Sequence, residues 1–216
     1  MTPYYETELG KLYHGDCLEI MPQLEPVDLV LTDPPYGIGK KIERDYCAGV
    51  AHRVKYPVPV EKWDIIPPPK YFEMVYKISA NQIIFGGNFF AEHLKNSSCW
   101  LVWDKDRKNR MADCELVYTS FDTAVRKFKY TWNGMIKEAP EKRYHPTQKP
   151  VGLIMQILRK YSQETDVTLD THIGSGTTAV ACERLNRKWI GIEIEEKYCE
   201  IAAKRIENER KQRKLF

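Results

Sequence analysis

An α/β fold, doubly wound around a mostly parallel sheet with helices on both faces, is predicted for this 216-residue chain by three observations. Strand and helix patterns alternate, most clearly towards the C-terminus. Short apolar runs stop at turn-forming residues, and a glycine-rich turn joins one of them to a helix. The length suits a single domain, 1–216, whose core is large enough to fold without metals or disulfides.

Taken in order, Val27-Asp28-Leu29-Val30-Leu31 reads as a buried strand stopped at Thr32-Asp33-Pro34-Pro35, because proline cannot donate to a ladder. After the breaker Pro67-Pro68-Pro69, the stretch Lys70 to Ser79 sets Phe72, Val75, Tyr76 and Ser79 on one helical face. Gln82 to Phe85 is a strand ending at Gly86-Gly87. Leu153, Ile154, Ile157, Leu158 and Tyr161 form a helical stripe, and Val167 to Asp170 is a short strand opening onto Gly174-Ser175-Gly176-Thr177. A helix to about Leu185, the strand Trp189 to Ile192 and a helix carrying Tyr198, Ile201, Ala202 and Ile206 complete the pattern. Gly37 to Trp63 and Lys105 to Ala112 fit neither period. Both are polar and basic, and are expected to be loops or small insertions on the binding edge of the sheet.

With 43% hydrophobic and 29% charged residues, disorder, collagen and disulfide scaffolds are excluded. The six cysteines show no C-x-x-C pair and no Cys/His alternation at zinc-ligand spacing, so no metal site and a reducing cytoplasmic setting are expected. No signal peptide or membrane span is expected either, since the longest apolar stretch is broken by Gly86, Gly87 and Asn88. The net charge of +3 conceals a division: residues 1–36 carry −6, 37–149 carry +7, 150–203 carry −2 and 204–216 carry +4. That asymmetry is a pointer to a polyanion.

Two motifs carry chemistry. Asp170 ends a strand, Gly174-x-Gly176-x-x-Ala179 opens a helix, and Glu193 closes the next strand. This arrangement resembles a dinucleotide fingerprint, with close backbone approach at the glycines and a carboxylate for ribose hydroxyls. NAD and S-adenosylmethionine both present such a ribose, so the loop alone leaves the cofactor open. Asp33-Pro34-Pro35-Tyr36 narrows it. A carboxylate and a proline-freed carbonyl can each accept one hydrogen of an exocyclic amine while Tyr36 stacks on the ring that bears it, a device for methyl transfer to that amine.

Together with His145-Pro146-Thr147-Gln148-Lys149-Pro150, and in this chain order, these motifs resemble the β-type amino-group DNA methyltransferases, S-adenosylmethionine-dependent enzymes of N6-adenine or N4-cytosine. The resemblance extends from Tyr13-His14-Gly15-Asp16-Cys17 to the helix after Glu193. It implies a seven-stranded Rossmann-like methyltransferase sheet and a site carried over residue by residue. Asp33, Pro34, Pro35 and Tyr36 would hold the flipped target base. Asp16 would contact the adenine end of the cofactor and Glu193 its ribose. Gly174, Ser175, Gly176 and Thr177, with Thr147, Gln148 and Lys149, would surround the methionine part, Lys149 or a hydroxyl suiting its carboxylate, and Asp170 is a further cofactor-binding residue. His172 stands where the family usually has phenylalanine after Asp-Pro, and is read as a packing residue.

The resemblance also implies double-stranded DNA as substrate, in a restriction-modification setting, with N6 of adenine the favoured amine because aspartate heads the tetrapeptide. Residues 37–63 and 104–115 are the expected DNA-contacting loops, through Lys40, Lys41, Arg44, Lys105, Arg107, Lys108 and Arg110, and 204–216 is a basic helix end or tail. With no separate recognition domain visible, a short target sequence or a homodimer is expected. N4-cytosine methylation, a nicotinamide dehydrogenase and a catalytically silent DNA-binding protein are the rival readings, the last two leaving one or both remaining motifs without a purpose.

Overall fold

The computed structural model describes residues 1–39, 64–106, 112–133, 136–137, 141–145 and 147–213. Its strands are β1 (Tyr5–Glu6), β2 (Gly10–His14), β3 (Val27–Thr32), β4 (Ser79–Phe85), β5 (Trp100–Asp104), β6 (Cys114–Thr119), β7 (Arg126–Lys129), β8 (Trp132–Asn133), β9 (Ile136–Lys137), β10 (Val167–Asp170) and β11 (Lys188–Glu193). Helices are α1 (Cys17–Ile20), α2 (Pro69–Ile78), α3 (Val151–Tyr161), α4 (Thr177–Arg184) and α5 (Glu196–Arg213), with short 3-10 turns between.

Nine strands form the main sheet in the order β1-β2-β11-β10-β3-β4-β6-β5-β7, and β8 pairs with β9 apart from it. The five strands from β2 to β4 run parallel, β6 is antiparallel to both neighbours, and β7 is parallel to β5. The expected seven strands therefore gain one at each edge. β1 has only two residues, and β7 reads Arg126-Lys127-Phe128-Lys129, too charged to signal a strand but well suited to an edge that must not pair with another chain.

Side-chain alternation explains the two layers. Leu29 and Leu31 of β3, with Ile83 and Phe85 of β4, face α3, α4 and α5, while Val30 and Ile84 face α2, where Tyr71, Phe72, Val75 and Ile78 are buried. Pro69 starts α2 at its first turn, where a missing N–H costs nothing. α2 ends one residue earlier than the period suggests, because Ser79 already pairs with Val27 as the first residue of β4. Gly176 caps α4 with φ +86, and a Cβ there would come within 2.9 Å of the Ala202 Cβ, so glycine also allows the close approach of α5.

Of the two expectations for 204–216, a helix end or a tail, the structure has the helix end: α5 continues to Arg213, anchored by buried Ile206 and Glu209, and 214–216 of this stretch lie outside the described residues. The proposed loop 104–115 is also narrower than expected. Asp104 and Cys114 are paired ends of an antiparallel hairpin, so Asp104 and Glu115 belong to strands. No helix among the described residues is long and apolar enough to cross a membrane.

Candidate active site

Between β10 and β3 the connections diverge to opposite sides of the sheet, and a crevice opens at the carboxyl ends of these strands. One cleft there is lined by Asp33 to Tyr36 from the loop after β3, by Thr147, Gln148 and Lys149 before α3, by Asp170, Gly174, Ser175 and Thr177, and by Glu193 after β11. Three motifs far apart along the chain thus share one wall-to-wall space.

At its inner end, Asp33 Oδ1 accepts a hydrogen bond from the Tyr36 hydroxyl at 2.5 Å, and Oδ2 accepts one from Lys149 Nζ at 2.5 Å. Lys149 is buried, lies 5.0 Å from the centroid of the Phe85 ring, and is also 3.5 Å from Glu115 Oε2. Glu115 in turn receives Lys105 at 2.5 Å. Burial pushes the Asp33 carboxyl up, with Lys149 opposing it. Burial works against the Lys149 ammonium, yet Asp33 and Glu115 hold its pKa above the usual lysine value. For Glu115, burial is outweighed by Lys149 and Lys105, which keep it below the ordinary carboxylate range. Four charges of alternating sign are mutually neutralised in a low-dielectric pocket.

Two expectations are corrected here. Lys105 is not a DNA-facing cation: it is buried, paired with Glu115, and its ammonium lies 4.8 Å from the Trp103 ring centroid. Lys149 is held on Asp33 rather than turned to a cofactor carboxylate, because two partly buried carboxylates without it would be left uncompensated. Lys40, Lys41, Arg44, Arg107, Lys108 and Arg110 lie outside the described residues, as does Pro146.

The Tyr36 ring is fixed from several sides. It stacks on Phe89 with centroids 4.8 Å apart at 15° and meets Phe90 edge-on at 6.0 Å. Its backbone N–H, like that of Gly37, donates to Asp64 Oδ1 at 3.0 Å. Burial and the neighbouring Asp33 carboxylate raise the phenol pKa well above its usual value, so it stays a donor. Gly86 makes this possible: it has φ +68, and a Cβ would sit 2.3 Å from the Tyr36 ring. Phe85, Phe89, Glu115 and Asp64 belong to the site without carrying a motif in the sequence. The Gly86-Gly87 pair closing β4 was the available signal.

At the outer end, Glu193 Oε2 accepts from Gly174 N at 2.8 Å and Oε1 from Glu195 N at 2.9 Å, while burial raises its pKa to about 7. Asp170 accepts from the Thr178 hydroxyl at 2.6 Å and His172 N at 3.1 Å, and burial raises it to about 6. His172 lines the cleft, meets the Tyr71 ring edge-on at 5.3 Å and is pushed down to about 4 by burial, hence neutral. Gln148 is held by Glu141 (2.9 Å) and the Lys142 carbonyl (3.1 Å), and its Oε1 accepts from Tyr144 N (2.8 Å) and the Ser175 hydroxyl (3.2 Å). Arg205, from the basic end of α5, donates to the Ser175 carbonyl at 2.6 Å and to Glu141 at 3.0 Å. Asp16 and Gly176 do not line the cleft. Asp16 stands on the same sheet edge, capping α1 through Leu18 N at 2.8 Å.

Residues 92–204 match the family model described as DNA methylase. The type II methyltransferase M.ScaI of Streptomyces caespitosus is 30% identical over 96% of this chain and 84% of its own length. The chain belongs to the DNA methylase family. Another relative of this methylase, M2.LlaDCHI of Lactococcus lactis subsp. cremoris, is 26% identical over 94% of this chain and 91% of that one. Among solved structures, the M1.HpyAVI complex with S-adenosylmethionine has a TM-score of 0.58 at 21% identity, over 92% of the methylase and 99% of that chain. The PvuII cytosine-N4-specific DNA methyltransferase has 0.61 at 18% identity, over 94% and 88%. These two similarities concern the fold, and agree with the sheet described above.

Proposed function

We propose that this methylase transfers a methyl group from S-adenosylmethionine to the exocyclic N6 amine of adenine in double-stranded DNA, after the base is flipped out of the duplex. The observation that carries the reading is the position of Asp33, opening at a carboxyl sheet edge into the same cleft as the glycine turn and Glu193.

The cleft suits the cofactor. The carboxylates Glu193 and Asp170 favour a cationic nucleoside over an anionic one, and a Cβ on Gly174 would meet nothing nearer than 3.9 Å, so the backbone there opens onto free space. Glu193 would take the ribose hydroxyls, Asp16 the adenine end, and Thr147, Ser175 and Thr177 the methionine end. When bound, S-adenosylmethionine supplies an electrophilic methyl group on a sulfonium. The chain's own part is positioning: Asp33 and the Pro34 carbonyl accept the two amine hydrogens, Tyr36 offers a ring face opposite Phe89 for stacking, and the cleft walls exclude water. Asp33 is also the acceptor nearest to the proton released as the amine is alkylated.

The first basic segment leaves from beside this cleft, and the second from the β5–β6 hairpin that carries Glu115. Gly37 and Asp64, which bracket the first, are hydrogen bonded to each other, and Lys105 N bonds the Asp113 carbonyl at 3.0 Å across the second. DNA-contacting roles for Lys40, Lys41, Arg44, Arg107, Lys108 and Arg110 fit that origin. N4-cytosine is the second reading, favoured by the structural similarity to a cytosine-N4-specific enzyme. Methylating unmodified genomic DNA with the purified protein, digesting it to nucleosides and weighing the product decides: N6-methyladenine is expected, and N4-methylcytosine replaces the proposal. Asp33→Ala should abolish transfer while S-adenosylmethionine binding persists by calorimetry. Transfer by that variant would sink the assignment.

A further inference from the structure

Asp33 must accept an amine, yet both of its oxygens are already engaged, Oδ1 by the Tyr36 hydroxyl and Oδ2 by Lys149. One donor must yield. Tyr36 is clamped by Phe89, Phe90 and the tight contact at Gly86, whereas Lys149 reaches Asp33 through a flexible four-carbon stem. An acceptor for it stands nearby. Glu115 Oε1 is engaged by Lys105, but Oε2 is buried, makes no hydrogen bond among the described residues, and lies 3.5 Å from Lys149 Nζ.

Resting on the assignment of Asp33 above, we infer that Glu115 is a positioning residue that receives Lys149 when the target amine takes its place on Asp33. A small shift of the ammonium converts a contact just beyond hydrogen-bond reach into a bond, and frees Oδ2. The move has an electrostatic reason as well. Positive charge develops on the amine nitrogen during alkylation, and an ammonium left beside it would oppose that step; a carboxylate on the far side draws it off and screens it. Lys105 keeps Glu115 oriented through its other oxygen, so one face of the carboxylate is fixed and the other is available.

The titratable and charged groups facing this assembly are Tyr36 and Asp64 after β3, Lys105 at the end of β5, His145 and Lys149 before α3, and Asp170 at the end of β10. On Asp33, Lys149 acts to lower the pKa and Glu115 itself to raise it. Glu115→Gln therefore strands Lys149 on Asp33 and removes a negative charge next to it.

The test is single-turnover methylation of unmodified genomic DNA against pH, using the full chain, with Asp33→Ala alongside. Glu115→Gln is expected to slow the methyl-transfer step on the order of tenfold or more, as loss of a charge-assisted hydrogen bond does, and to move the acid limb of the profile to lower pH. Adding Lys149→Met to Glu115→Gln should recover part of the rate, since the stranded ammonium is gone. An unchanged rate, an equal loss with an unmoved acid limb, or a double variant slower than Glu115→Gln would each overturn the inference. Should Glu115→Gln lose its far-UV circular dichroism, Glu115→Asp carries the test: a carboxylate withdrawn by one methylene should slow transfer but leave the acid limb in place, and a wild-type rate would overturn the inference. An active Asp33→Ala variant indicts the assignment of Asp33; an inactive one beside a normal Glu115→Gln indicts only the role of Glu115.

Discussion

Arg205 Nη1 donates to the Ser175 carbonyl at 2.6 Å, so a side chain near the C-terminal end of the sequence holds the glycine turn in place. The same guanidinium bonds Glu141, which in turn holds Gln148 of the His145–Pro150 motif and caps Val151 N at the start of α3. One arginine thus ties α5, the glycine turn and the loop before α3 into a single rigid wall. Replacing it by methionine leaves the partly buried Glu141 without its cation, and about 2 kcal/mol of stability should be lost, less than for a fully buried pair because water can still reach the carboxylate. Thermal unfolding together with calorimetric titration of S-adenosylmethionine checks this. Normal affinity in a destabilised protein would separate the structural role from the cofactor wall.

Gly86→Ala should disturb base capture more than folding. The left-handed backbone costs an alanine about 1–2 kcal/mol, and the new methyl collides with the Tyr36 ring. Denaturant unfolding should register the first effect. Fluorescence of 2-aminopurine placed at the target position should register the second, as a weaker increase on binding.

Tyr36→Leu should weaken capture of the flipped base by about 1–3 kcal/mol, the usual worth of base stacking on an aromatic side chain, and so raise KM for DNA more than it lowers kcat. A variant whose kcat alone falls would assign the phenol, not the ring, as the functional group.

Glu193 and Asp170 set a pH dependence. Their folded pKa values, about 7 and about 6, lie above the ordinary 4.5 and 3.8 because both are buried. The folded state therefore binds their protons more tightly. The stability this provides is complete below the ordinary values and is lost as pH rises through about 6 to about 7. A cationic ligand reverses the preference, so affinity for S-adenosylmethionine should increase over the same range. Melting temperatures and calorimetry from pH 5 to 8 test both slopes, and Glu193→Gln should flatten each.

Salt dependence separates the basic residues. Replacing Arg107, Lys108 and Arg110 with glutamine should lower the salt slope of DNA binding by about one for each phosphate that is no longer neutralised. Lys105→Met should leave that slope alone and slow the reaction instead, because Lys105 faces Glu115 inside the protein. A reduced slope for Lys105→Met would contradict its buried place.

The order of motifs, the alternation of β10, α4, β11 and α5, and the choice of Asp33 to Tyr36 as the proposed amine-holding device follow from local features: proline after a buried strand, glycines before a helix, a carboxylate at a strand end. Such features act over a few residues and are written in consecutive letters. Edge strands were illegible because β1 is two residues long and β7 is mostly charged, so neither carries a period. The length of α5 was obscured by its charge, since only a thin stripe including Ile206 touches the core.

Which charge meets which was decided by tertiary structure alone. Lysines 105 and 149 look alike in the sequence, one in a basic loop and one in a cofactor motif, yet the β5–β6 hairpin brings Glu115 between them and both become internal cations. A side chain's protonation and partner depend on the dielectric and on groups brought together by folding across the sheet, and no local pattern encodes them. The family could be read from the chain; the neutral four-charge cluster of Asp33, Lys149, Glu115 and Lys105 exists only once the sheet has closed around it.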